Sequence, residues 1–272
     1  MIRLEGVSYR YAGTRAPSLR STDLELRDGE VVGLVGATES GKTTLCLVLA
    51  GLAPRAIRGE LTGRLLIDGE DMTARPMHDL AALVGIAFQE PGTQRSGVTE
   101  TVFEEVAFGP ANLGVPREEL IARTWAALER LGIAHLAPRD PARLSGGQQQ
   151  LVAIAGLLAM RPRHLVLDEP TAQLDPAGTR LVMDAVAELA VDGASILIAE
   201  HKTDELARVC SRALVIEGGT IVDDGSASVV LSSSTLRERG IEERSGARLA
   251  RLLREAGLDP VLPGPADRPG VG

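Results

Sequence analysis

The chain has 272 residues, 44% of them hydrophobic and 24% charged, which is enough for one large domain, or a domain with an added lobe and tail, around a substantial core. A net charge of −8 with only one Trp, two Tyr and three Phe argues against nucleic acid as the main partner, because it offers neither a basic footprint nor a base-stacking platform. No apolar run approaches the roughly 20 residues of a spanning helix, no secretory signal precedes the first strand-like residues, and Cys46 and Cys210 lack metal-site or disulfide spacing, so a cytoplasmic chain with buried, reduced thiols is expected.

Along the chain, Arg3 to Tyr9, Leu19 to Leu26 and Gly63 to Asp68 read as strands of a small antiparallel layer. Short apolar runs at Val31 to Val35, Leu83 to Phe88, Leu165 to Leu167, Ile196 to Ala199 and Ala213 to Ile216 read instead as buried strands of a mostly parallel sheet covered on both faces. Between about residues 92 and 160 the pattern becomes helical. Thr101 and Glu104 have capping-box spacing ahead of Val106 and Phe108, Glu118 to Leu131 is periodic and closed by Gly132, and Leu151 to Met160 reads as a buried helix. The fold class is therefore α/β with a helical lobe inserted into it. Residues 1–230 form the main domain. Residues 231–272 form a C-terminal extension in which Ala247, Leu249, Leu252, Leu253 and Ala256 are helically spaced, and the Pro- and Gly-rich end is expected to be loose after about residue 260.

Gly36-Ala37-Thr38-Glu39-Ser40-Gly41-Lys42-Thr43 fits G-x-x-x-x-G-K-[ST] between a buried strand and a helix start. Its glycines allow backbone N–H groups to turn toward phosphate oxygens, Lys42 neutralises charge, the Thr43 hydroxyl can hold Mg²⁺, and Thr44 continues the nucleotide-binding surface. Asp168 and Glu169 end another strand. Asp168 suits Mg²⁺, and Glu169 suits a general base acting on water. Gln89 and His201 also follow strands, which should be neighbours, so both are candidate γ-phosphate sensors, and Gln89 could in addition reach the metal. Ser145 reads as the N-cap of a helix running to Met160. Gly146 and Gly147 after it are poor helix formers, which favours close approach of an anion to this helix end.

With Gly36 to Thr43, Gln89, Leu144-Ser145-Gly146-Gly147-Gln148, Leu167 to Pro170, Asp175 and His201 in this order, the chain resembles ABC transporter ATPases over residues 1–230. The resemblance implies a P-loop NTPase fold, an adenine stacked on Tyr11, ATP and Mg²⁺ as ligands, and a role for Asp175 in nucleotide binding. It also implies a head-to-tail dimer, with a like or an unlike copy, in which Ser145, Gly146, Gly147 and Gln148 of one subunit meet the γ-phosphate over the other's Lys42. Phe88 to Pro91, Val102 to Gly114 and Val152 to Met160 are more closely similar to the ATPase subunits of energy-coupling factor transporters, importers of vitamins, cobalt or nickel. That likeness implies a transmembrane coupling subunit seated on about Thr93 to Phe108, a substrate-binding membrane subunit, a peripheral position on the cytoplasmic face of the membrane, and a C-terminal extension supporting the dimer. Leu151, Gln173, Gly92 to Arg95 and Glu39 depart from the family pattern and point to one half of an unequal pair. Two alternatives are a non-transport ABC ATPase of DNA repair or translation, and a P-loop small-molecule kinase. Neither long insertions nor a second nucleotide domain supports the first, and the second leaves Leu144 to Gln148 unexplained.

Overall fold

The computed structural model describes residues 1–258; the Pro- and Gly-rich end expected to be loose lies outside the described residues. Strands β1 (Ile2–Tyr11) and β2 (Leu19–Leu26) pair antiparallel, and β3 (Val31–Val35) then enters a second sheet. After β3 come α1 (Lys42–Leu49), the short α2 (Leu52–Arg55), β4 (Gly59–Ile67) and β5 (Glu70–Asp71), then α3 (Met77–Ala81) and β6 (Val84–Ala87). The helical lobe follows with α4 (Val102–Asn112), α5 (Arg117–Arg130) and α6 (Gly146–Met160). The chain returns through β7 (His164–Asp168), α7 (Pro176–Val191), β8 (Ser195–Ala199), α8 (Thr203–Val209), β9 (Arg212–Glu217) and β10 (Thr220–Ser226). It continues with α9 (Ala227–Val230), α10 (Thr235–Glu238) and α11 (Ser245–Glu255).

The sheet orders are β2-β1-β4-β5 and β10-β9-β3-β8-β7-β6. In the larger sheet all pairs are parallel except β9 with β10 at one edge. Its central strands are apolar on both sides because both sides are covered. Val32, Leu34, Val166, Leu197 and Leu214 face the antiparallel layer and α1, in one cluster with Leu4, Leu24 and Leu65. Val35, Leu167, Ile198 and Val215 face the other way, toward Val152 and Ile154 of α6 and Val182 and Val186 of α7. Each such fully buried aliphatic side chain contributes about 1.5–3 kcal/mol relative to leaving it in water. Cys46 and Cys210 are buried and unpaired. Among the described residues, no helix is long and apolar enough to cross a membrane.

Within the lobe, Thr101 accepts from the Glu104 N–H while the Glu104 carboxylate accepts from the Thr101 N–H, the capping box that the spacing predicts. Gly109 lets α4 come close to α6, since a Cβ there would stand 2.7 Å from Met160 Sδ. Thr101→Ala should lower the urea unfolding free energy by about 1 kcal/mol, the usual cost of an N-cap; an unchanged midpoint would mean the cap contributes nothing. Helix α11 forms as its spacing predicts, but it does not bury its leucines: Leu249 and Leu252 are 53% and 46% exposed, and Ala250 is its one buried residue.

Candidate functional site

Four neighbouring parallel strands, β3, β8, β7 and β6, end on the same edge of the larger sheet and deliver the sequence-predicted residues there. That edge is where ligand crevices form in such sheets, because the loops diverge beyond the carboxyl ends. After β3, the turn Gly36 to Gly41 runs into α1. Gly36 sits so close to β9 that a Cβ would stand 2.6 Å from the Ile216 carbonyl, and Gly41 holds φ +111°. Both positions therefore require glycine. Glu39 adopts φ +63° in the same turn.

No side chain caps α1, whose N-cap is Gly41. Its first N–H groups are thus left for an anion, with the positive end of the helix behind them. Lys42 is buried, and its Nζ donates to the Gly36 and Ala37 carbonyls at 2.8 and 3.0 Å. Burial pushes the ammonium below its ordinary pKa, with Glu169 and Asp168 opposing the shift. A phosphate would replace those two carbonyl partners with charged ones, which is the stronger bond.

Glu169 is the centre of the other wall. Its backbone holds φ +50°, its N–H donates to the Ala199 carbonyl at 2.8 Å, and its side chain lies between two others. Gln89 Nε2 donates to Oε2 at 2.9 Å, and His201 Nε2 stands 3.1 Å from Oε1. A left-handed backbone at a non-glycine residue costs of order 1–3 kcal/mol and persists where its surroundings over-determine it. The strands leading to Gln89 and His201 are not neighbours, contrary to expectation: β7 runs between them, and that interposed strand is what puts Glu169 between those two side chains.

Asp168 is buried, and its Oδ1 has no hydrogen-bond partner. Burial pushes its carboxyl above the ordinary value, while the Thr43 hydroxyl and the Lys42 ammonium act in the opposite direction. Such an orphaned carboxyl oxygen beside a threonine hydroxyl suits a hard cation. Among the described residues no cluster of three His, Cys, Asp or Glu side chains could hold a metal unaided.

These residues line one cavity of about 610 Å³: Thr38 to Thr44, Gln89, Glu169 and His201. Its other wall is Ala16, Pro17, Ser18, Arg20, Gly218 and Gly219, which the sequence reading did not find. The Gly218-Gly219 pair between two β-prone runs was the available signal, a turn marker that brings the β9–β10 connection over the phosphate turn.

Other predicted residues lie elsewhere. Tyr11 does not line the cavity; its hydroxyl pairs with Thr44 Oγ1 at 3.0 Å, and its ring stands edge-on to Tyr9 at 5.0 Å. Asp175 caps α7, accepting from the Gly178 N–H at 2.7 Å. Ser145 caps α6 in a capping box with Gln148. None of Ser145, Gly146, Gly147 and Gln148 lines the chain's own phosphate cavity. Gly146 and Gly147 instead face Gln173, whose Oε1 would stand 2.1 Å from a Cβ on Gly146. Leu151 is half-buried against the lobe's core.

Comparison with known proteins agrees with this geometry. The family model described as ABC transporter matches residues 19–172. A putative ABC transporter ATP-binding protein of Pyrococcus abyssi is 38% identical over 260 residues, 95% of this chain and 92% of the relative. The energy-coupling factor transporter ATP-binding protein of Methanosarcina acetivorans is 40% identical over 260 residues, 95% of this chain and 91% of the relative. A second ABC transporter ATP-binding protein of that organism is much longer: the chain aligns to it at 40% identity but spans 41% of its length. Among solved structures, cbiO1 of Clostridium perfringens, part of the ABC transporter complex cbiONQ, superposes with a TM-score of 0.75 at 31% identity, covering 94% of this chain and 98% of that one. A dimeric ATP-binding cassette in a post-hydrolysis state, bound to ADP and Pi, superposes with a TM-score of 0.73 at 25% identity, over 84% of this chain and 99% of that one. A family model over more than half of the chain, and relatives of this identity and coverage, lead to one conclusion: the chain belongs to the ABC transporter family, as an ATP-hydrolysing subunit of the energy-coupling factor type.

Proposed function

We propose that ATP draws two such subunits together head to tail, that hydrolysis separates them, and that this cycle drives membrane subunits importing a vitamin or a transition-metal ion. The observation that carries the reading is the separation of the Ser145–Gln148 helix end from the chain's own phosphate cavity. A helix N-terminus with two bare glycines, set apart from the chain's own phosphate cavity, is fit to meet an anion held by another subunit.

In that arrangement α1 and Lys42 hold the phosphates, and Glu169 takes a proton from the attacking water. Gln89 and His201 keep the Glu169 carboxylate aimed and register the γ-phosphate. Thr43, Asp168 and the free carbonyl of Gln89 would hold Mg²⁺, which would supply charge neutralisation on the phosphate oxygens. Tyr11 would have to turn from Thr44 to stack an adenine, and Asp175 would act through the start of α7 at the subunit boundary. Domain limits near residues 230 and 231 follow from the same reading. The exposed leucines of α11 support a role for the extension in pairing the subunits, the partner being a second copy or a relative of this chain.

A groove of about 170 Å³ on the lobe, room for a side chain or two projecting from the coupling helix of a membrane subunit, would hold the chain peripherally at the cytoplasmic face. Gln94, Ser96, Glu105, Phe108, Val152 and Met160 line it, and Phe108 is 39% exposed. Its rim is prearranged. Glu105 accepts from Ser96 N–H and Oγ at 2.7 Å and from the Thr99 hydroxyl, while Gln94 binds the free edge of β6 through the Phe88 N–H and the Ile86 carbonyl.

Gly147→Asp tests the shared site. A Cβ at 147 would stand 2.9 Å from the Gln173 carbonyl, so the variant presses on the turn before α7 as well as placing a carboxylate that repels a neighbour's phosphate. Turnover should fall about 10-fold or more, with ATP affinity of the isolated chain within about twofold of the parent. A loss of ATP binding by the isolated chain would place the glycines in the chain's own site and end the head-to-tail reading.

A further inference from the structure

Behind Glu169 and His201 lies another carboxylate that neither catalysis nor metal binding uses. Glu200 follows β8 and is 2% exposed, yet a strand end packed this deeply is normally apolar. Three donors converge on it. Oε1 accepts from the Thr171 N–H at 3.1 Å and from the Thr171 hydroxyl at 2.5 Å, and Oε2 accepts from the His201 N–H at 3.1 Å. Lys202 closes the same ring, its Nζ donating to the Thr171 carbonyl at 2.8 Å and hydroxyl at 3.3 Å.

Thr171 lies two residues after Glu169, in the turn that must hold Glu169 at positive φ. His201 is 43% exposed, so outside packing does little to fix its ring. Its position relative to Glu169 is therefore set from beneath, through the backbone at residues 200 and 201. We infer that Glu200 is a positioning residue for hydrolysis: its carboxylate ties the turn after Glu169 to the loop of His201, so that base and sensor move as one unit. A rigid pair of this kind matters because a misplacement of about 1 Å can cost about 100-fold in rate.

The inference rests on the assignment of Glu169 and His201 to hydrolysis, and the experiment separates the two. In the complete transport complex, ATP turnover, KM and the affinity for a non-hydrolysable ATP analogue are measured for Glu169→Gln, Glu200→Ala, Glu200→Gln, Thr171→Val and the Glu200→Ala/Thr171→Val pair. Glu200→Ala should lower kcat about 10-fold or more, with KM and analogue affinity within about twofold, because the phosphate turn is untouched. Thr171→Val should act in the same direction. The double variant should lose little beyond the larger single loss, as expected for two ends of one tie. Glu200→Gln keeps an oxygen for Thr171 but turns an amide NH₂ toward the His201 N–H, so it should recover part of the rate and no more. An unchanged kcat in Glu200→Ala, or a loss of kcat matched by equal loss of analogue affinity and not relieved in Glu200→Gln, overturns the inference. If Glu200→Ala does not fold, Thr171→Val decides alone, since valine keeps the shape and removes the hydroxyl bond; an unchanged kcat there is equally fatal. Full turnover in Glu169→Gln would instead overturn the assignment beneath it.

Discussion

Glu169→Gln is expected to lower steady-state ATP hydrolysis by about 100-fold or more, the range that removal of a general base produces, while ATP still binds. Glutamine is nearly the same size and can still meet Gln89 and His201, so the cavity should keep its shape. What is lost is the ability to accept a proton from water. Because ATP then persists, the variant should accumulate as a closed pair of subunits, seen as a doubled mass in gel filtration with ATP and a single mass without it. Wild-type turnover in this variant would remove Glu169 from the chemistry and leave its strained backbone unexplained.

Lys42→Ala should fail at the earlier step. The ammonium is buried at the start of an uncapped helix, where charge-assisted bonds to phosphate are worth about 2–3 kcal/mol, or roughly 30- to 150-fold in affinity. Nucleotide titration of the isolated chain should show that weakening for ATP. The two variants are distinguished by binding: Glu169→Gln keeps it and Lys42→Ala loses it. Affinity within about threefold of the parent in Lys42→Ala would mean that the backbone N–H groups of α1 carry the phosphates alone.

Much of this site is legible in sequence because each motif sits at a place where the local rules conflict. Gly36 and Gly41 interrupt an otherwise regular strand-to-helix passage, and Asp168-Glu169 puts charge at the end of a wholly apolar run. Such exceptions stand out. Strands β2 and β3 are equally visible, one through alternation and one through unbroken burial. Less visible is β10, polar and half-exposed at the sheet's edge, where packing imposes little pattern. Helix α7 carried a start signal, Asp175 followed by Pro176, that the sequence reading used only for nucleotide contact. Glu200 could not be seen in sequence at all, because its partner Thr171 comes from a different strand end and a single buried acid has no periodicity.

The capping box on α6 decides how many backbone N–H groups that helix end leaves open. A helix start leaves a small set of N–H groups without partners inside the helix. Here the N–H groups of Ser145 and Gln148 are already taken by each other's side chains. The Gly146 and Gly147 N–H groups remain, adjacent and without side chains of their own, a span suited to a single phosphoryl group. In a head-to-tail pair this helix end would act as a length gauge: a triphosphate reaches it, and a diphosphate, one phosphoryl shorter, does not. Discrimination between the loaded and the spent nucleotide would then be a matter of reach rather than of charge.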